Sequence, residues 1–354
     1  MARRRGRTLS RLVIGALALV AIAGFWLNRQ IGDSGASTEK VTVVIPRGAT
    51  VRTVSDSLVS TGIITSPRAF RFYASLGNKD RAIKPGQYEF VRGQGWSSVL
   101  ATLVKGRGAS RTVVVPEGFD IRAIAPLLAK ALGVPEDSVR AAAADAEWRR
   151  KLDVPAETLE GYLFPATYTF SVGTTAREAV TAMLERFETV WKPEWNARLT
   201  ALGITRHEAM TMASIVEKEA RKAEERPIIS AVYWNRVKIR MPLQADPTVQ
   251  YALPAHTERV LYRDLEVDSP YNTYRNAGLP PGPIASPGEA SIAAALAPAN
   301  VPYLYFVAHP DGHHEFRTTF AEHERAIAEV RRAAREAARE SARAASGRPA
   351  ARAK

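Results

Sequence analysis

Hydrophobic and polar positions follow a few distinct rhythms along this chain. The first is an unbroken apolar run, "LVIGALALVAIAGFWL" (Leu12–Leu27), behind the basic stretch "ARRRGRTLSR". The run is slightly shorter than the ~20 residues of a spanning helix, and its basic flank suits an N-terminus held in the cytoplasm. A cleaved signal peptide cut near Ala21 and Ala23 is the alternative, and a buried core helix a third. Phe25, Trp26 and Leu27 prolong the apolar stretch and favour an uncleaved anchor. After a polar linker, "VTVVIPRGAT" reads as a strand closed by a Pro/Gly turn. Val51, Val54 and Leu58 then recur at helical spacing up to Gly62, and "SPRAFRFYASLG" begins with Ser66 as cap and Pro67 in the first turn. The alternating "GQYEFVRG" predicts a returning strand.

The same layout recurs weakly from Thr112 to Gly133, where Val115-Pro116-Glu117-Gly118 echoes Ile45-Pro46-Arg47-Gly48. Two copies fall short of a solenoid and predict two small strand–helix units. From about 150 to 325, helices mix with short segments bounded by Pro and Gly. "HEAMTMASIVEKEARKAEER" has a strong helical pattern, and "GLPPGPIASPG" excludes regular structure over Gly278–Gly288. Beyond Glu324 the composition turns to Ala, Arg and Glu, predicting a solvated helix to about Ser346.

Charge changes the picture only once it is located. The formal net charge is +13, but Arg3, Arg4, Arg5, Arg7 and Arg11 hold five positive charges, and nine basic against three acidic residues follow from Arg325 onward. The body between is nearly neutral, which excludes the basic stripe of a nucleic-acid interface. The chain has no cysteine, so it forms neither disulfides nor thiolate metal sites. His309, His313, His314 and His323 lack ligand spacing, so no metal and no cofactor is expected. There is also no G-x-S-x-G elbow and no P-loop.

Two glutamates carry the candidate chemistry. On a helix through "MASIVEKEA" (Met212–Ala220), Met212, Ile215, Val216, Ala220 and Ala223 share one face, and Glu219 projects into it. Glu217 lies at the border. A carboxyl among apolar neighbours holds its proton to higher pH, which a general acid needs, although a glutamate paired with Lys222 or a distant arginine fits the same pattern. Downstream, "SPYNTY" gathers aromatic, amide and hydroxyl groups ahead of the long Pro/Gly loop, as an uncharged sugar ligand would require; a turn that only packs the loop is the alternative.

Five segments in order carry a resemblance: "LEGYLFPATYTF", "MASIVEKEA", "LQADPTVQYAL", "SPYNTYRNAGLPPGPIASPG" and "YLYFVAHPDGHHEF". Together they resemble the endolytic murein transglycosylases, the YceG-like family, from about Val41 to His323. The resemblance implies an α+β fold: an N-terminal transmembrane helix, a small LysM-like α/β subdomain and a YceG-type mixed α/β catalytic domain. The boundaries expected are a basic cytoplasmic segment 1–11, an anchor 12–30, a linker 31–40, a LysM-like subdomain 41–110, a catalytic domain 111–325 and a basic tail 326–354. It further implies a single-pass inner-membrane protein with a periplasmic body. The body would cleave nascent peptidoglycan strands to 1,6-anhydro-N-acetylmuramic acid ends and associate with peptidoglycan synthases. By motif position the catalytic glutamate is Glu219, and Glu217, Gln244, Asp246, Tyr271, Asn272 and His314 are implied substrate-binding residues. Ala166 stands where the family usually has an acid after "LFP".

Overall fold

The computed structural model describes Gly24 and residues 39–46, 48–106, 110–254 and 260–345. Apart from Gly24, the expected anchor and its basic flank lie outside the described residues, as does the tail beyond Ala345. Among the described residues no helix is long and apolar enough to cross a membrane.

The chain divides into two compact units. The first comprises the described residues up to Thr112 together with Thr169–Thr175. In it, β1 (Lys40–Ile45) is followed by helices α1 (Val51–Ser60) and α2 (Pro67–Leu76), strand β2 (Gly86–Val91) and helix α3 (Trp96–Lys105). β1 and β2 pair antiparallel from Lys40↔Val91 to Ile45↔Gly86. Their alternation puts Val43, Ile45, Tyr88 and Phe90 on one buried face, over which Leu58, Phe70 and Trp96 pack. Phe70 meets Trp96 edge-on, with ring centres 5.9 Å apart. Ser66 caps α2 by accepting from the Ala69 N–H, with Pro67 in the first turn, where its missing N–H costs nothing.

The second unit holds Val113–Tyr168 and the chain from Ala176 onward. The elements continue as β3 (Ser110–Val114), α4 (Ile121–Leu132), α5 (Glu136–Ala142), α6 (Ala146–Lys151), β4 (Thr167–Ser171), α7 (Ala176–Val190) and α8 (Pro193–Leu202). Then come α9 (Arg206–Glu219), α10 (Arg226–Lys238), α11 (Asp246–Ala252), α12 (Glu289–Leu296), β5 (Tyr305–Ala308), β6 (His314–Arg317) and α13 (Phe320–Ala345). β3 pairs with β4, and β5 with β6 in an antiparallel hairpin. The two strand-to-helix turns are built alike: Gly48 and Gly118 both take positive φ, two residues ahead of the caps Thr50 and Asp120.

Helix α9 is the centre of this unit. His207 and every residue from Ala209 to Val216 are buried, as expected of a stretch made of small and apolar side chains all round. It packs chiefly against α12 and α10. A reciprocal Thr205–Glu208 capping box starts it. It stops at Glu219, short of the continuous helix expected through Arg226: Ala220 is extended, and a 3-10 turn spans Ala223–Glu225. Pro227 lies in the first turn of α10, where its missing N–H breaks no intrahelical bond. Ala220 and Ala223 therefore do not extend the apolar face of the helix. Gly278–Gly288 contains no helix or strand, and α13 is described as far as Ala345, with residues 331–342 exposed.

Candidate active site

The break after Glu219 puts its carboxyl at a helix end rather than in the middle of a face. Around it α9, α10, the segment before α11, and the β5–β6 hairpin with the start of α13 enclose a cavity of about 260 Å³. Glu219, Tyr233, Arg236, Gln244, Asp246 and Tyr274 supply its polar wall, with Phe306 and His323 beside them. The immediate neighbours of Glu219 are thus aromatic and polar, where the helical pattern alone anticipated aliphatic ones.

Tyr233, itself buried, donates its hydroxyl to Glu219 Oε1 at 2.8 Å. Glu219 keeps some surface open to the cavity, yet its carboxyl sits in dense protein. Desolvation is the largest influence and pushes its pKa up to about 7; the Tyr233 bond and the Arg236 and Arg221 charges oppose this, and the Asp246 charge adds to it. Burial and the Glu219 charge raise the Tyr233 phenol well above its ordinary range, so it stays a donor. Oε1 is occupied by that donor, which leaves Oε2 as the oxygen free to carry a proton. Asp246 accepts from the Tyr274 hydroxyl.

Arg236 fixes the cavity wall. Its Nε donates to Leu304 O at 2.7 Å and its Nη1 to Leu243 O at 2.6 Å, while the guanidinium lies 5.2 Å from the Tyr305 ring centre. Gln244, next to Leu243, takes a positive φ of 51°, and its N–H donates to Thr273 O. Two of the motif-implied residues, Gln244 and Asp246, therefore line the cavity with Glu219.

Four do not line it. Glu217 is turned to the start of α12, where Oε2 accepts from the Gly288 N–H at 3.0 Å and the Ser291 hydroxyl at 2.7 Å. Asn272 is fully buried; its Nδ2 donates to Leu265 O and Val267 O, and its Oδ1 accepts from the Tyr274 N–H. His314, buried on β6, is joined to Glu225 through its N–H and Nδ1 at 2.9 and 2.7 Å. Tyr271 packs against Tyr251, with ring centres 4.8 Å apart. His309 and His313 stack on each other and pair with Glu315 and Asp311. Among the described residues no three His, Cys, Asp or Glu side chains converge as a metal site.

Sequence reasoning passed over Tyr233 and Arg236, weighed His323 only as a metal ligand, and took Tyr274 only as part of the aromatic cluster in "SPYNTY". A legible signal existed for one: Arg236 is a charge inside the apolar stretch "SAVYWNRV". Glu160, within "LEGYLFP", was a second such signal. Its two oxygens both accept from the Ile121 N–H, and it also takes the Gly161 N–H and the Tyr251 hydroxyl. Burial, against these bonds, pushes its pKa up to about 8. Beside it, Gly161 has φ +82, and a Cβ there would lie 2.3 Å from Pro283 in the Pro/Gly loop.

The YceG-like family model matches residues 43–329, which is most of the chain and both units. The chain belongs to the YceG-like family. It is 35% identical over 305 residues to an endolytic murein transglycosylase of Bacillus subtilis, covering 82% of this chain and 84% of that one. It is 30% identical over 350 residues to the endolytic murein transglycosylase of Streptococcus pneumoniae, covering 88% of this chain and 63% of the relative. The crystal structure of a YceG-like protein from Listeria monocytogenes superposes with a TM-score of 0.57 at 34% identity, over 82% of this chain and 99% of that one. The mixed α/β architecture is that of the family.

Proposed function

We propose that this YceG-like chain is a peptidoglycan lytic transglycosylase in which Glu219 acts first as general acid and then as base. One observation carries the reading: the Glu219 carboxyl faces a polar cavity with one oxygen held by Tyr233 and its pKa pushed up to about 7. The names of the Bacillus and Streptococcus relatives support the substrate.

Protonated Glu219 gives its proton through Oε2 to the oxygen bridging N-acetylmuramic acid and N-acetylglucosamine. The bond from that oxygen to C1 of the muramyl sugar breaks, leaving an oxocarbenium-like centre. The 6-hydroxyl of the same sugar attacks C1, and the Glu219 carboxylate takes the hydroxyl proton as the 1,6-anhydro ring closes. The carboxyl ends as it began, and no water is consumed. Tyr233 stabilises the carboxylate between the two transfers, and Arg236 offsets its charge. The rest of the reading places residues 12–30 as an inner-membrane anchor with a cytoplasmic N-terminus, and the body in the periplasm. A LysM-like subdomain at 41–110 would engage the strand beside peptidoglycan synthases.

Glu219→Gln tests the assignment. The variant is expected to fold and bind glycan while anhydro-ended products vanish; native-rate product from it refutes the role. A hydrolytic muramidase is the second reading, favoured by Asp246, a second carboxyl in the same cavity. Its products are heavier by one water, so mass spectrometry of digested strands separates the two.

A further inference from the structure

A second cavity, of about 290 Å³, opens in the same unit between the start of α4, the end of α9 and α11. Phe119 and Tyr251 supply aromatic faces, and Asp120, Arg122, Lys218 and Gln250 its polar groups. It is distinct from the Glu219 cavity yet shares two elements with it. Lys218 and Glu219 are adjacent on α9, so their side chains leave the helix about 100° apart and enter different cavities. On α11, Asp246 lines one cavity and Gln250 the other. Four residues of helix separate these two by about 6 Å, less than the reach of a substituent on a sugar held beside Glu219.

The charges of this second cavity are unequal. Arg122 is compensated: its Nε bonds Asp120 at 2.8 Å, its Nη1 donates to Leu253 O, and its guanidinium lies 5.0 Å from the Tyr251 ring centre. Lys218 is not. Its ammonium donates to Gly118 O at 3.3 Å, and among the described residues no carboxylate lies within salt-bridge distance of it. One uncompensated ammonium at the mouth of a groove walled by aromatic faces suits an acidic group on a flexible organic chain better than a bare neutral sugar. Behind the wall, buried Glu160 accepts the Tyr251 hydroxyl and the Ile121 N–H, fixing the ring and the first turn of α4.

We infer that this cavity is a subsite for the acidic peptide stem attached to the muramyl sugar, with Lys218 as the residue that reads its carboxylate. The inference rests on the proposed peptidoglycan substrate and adds a preference for strands that still bear their peptides.

The experiment measures binding separately from turnover. Glycan oligomers of equal length, with stems or with stems removed by an amidase, are titrated calorimetrically into full-length Glu219→Gln protein, and into the same protein also carrying Lys218→Gln or Lys218→Arg. Stem-bearing oligomers are expected to bind about tenfold tighter, the scale of one charge-assisted hydrogen bond. That preference is expected to shrink in Lys218→Gln and to survive in Lys218→Arg. Equal affinity for the two oligomers, or a preference undiminished by Lys218→Gln, overturns the subsite. Failure of the transglycosylase reading shows elsewhere, as the absence of anhydro ends when the unsubstituted protein digests the same oligomers.

Discussion

Replacing Tyr233 with phenylalanine removes one hydroxyl, and its effect on Glu219 can be worked through. The hydroxyl donates at 2.8 Å to Oε1 and favours the ionised carboxyl, against the desolvation that holds the pKa near 7. A hydrogen bond to a charged group contributes roughly 1.5–3 kcal/mol, and each pKa unit corresponds to about 1.4 kcal/mol. Its loss therefore moves the Glu219 pKa upward by about one to two units. The acid step needs the protonated form, so kcat/KM of the unsubstituted protein is expected to fall above about pH 7, where the carboxyl ionises. In Tyr233→Phe that falling limb moves to higher pH, while the plateau rate drops because the carboxylate formed after proton transfer has lost its donor. The assay is the release of anhydro-ended fragments from purified strands between pH 5 and 9.5, with thermal melting as a control for folding. A limb that stays in place or moves to lower pH, in a variant that melts normally, would refute the account of how Glu219 keeps its proton.

Other expectations follow from the same geometry. Because the folded pKa of Glu219 is raised from 4.5 to about 7, its ionisation costs stability that begins to be lost above pH 4.5 and is fully lost above pH 7. Glu219→Gln should therefore be more stable than the unsubstituted protein at pH 8 by up to about 3 kcal/mol, and no more stable at pH 4, by denaturant titration. Asn272→Ala takes the partner from the Leu265 and Val267 carbonyls and from the Tyr274 N–H; a loss of roughly 1–3 kcal/mol is expected, and an unchanged denaturation midpoint would contradict a packing role. Gly161→Ala forces a Cβ against Pro283 at a positive φ, so limited proteolysis should show earlier cutting within 278–288 than in the unsubstituted protein.

What the sequence made legible depended on whether the deciding interaction was local. Ser66 with Pro67, the alternation of "GQYEFV" and the repeated Pro-x-Gly turns act within a few residues, and the elements form where they are expected. Glu219 stood out because an acid next to Ile215 and Val216 is conspicuous. Its true surroundings were not readable, since Tyr233, Arg236 and Tyr274 reach it from other segments. The motif residues away from the cavity share a different property. Glu217, Asn272 and His314 each direct polar atoms to the N-terminus of α12, to loop carbonyls or to Glu225, partners distant in sequence or set by the loop path that residue type alone does not reveal.

Arg236 ties α10 to the backbone at Leu243 and at Leu304, the two stretches that carry Gln244 and Asp246 on one side and the β5–β6 hairpin on the other. Three walls of the Glu219 chamber are thus clamped by one planar cation whose geometry tolerates little rotation. The bonds that tie those walls are internal to the fold, so under the proposed function they are in place before a strand arrives, and more of its contact energy can go into distorting its own sugar ring.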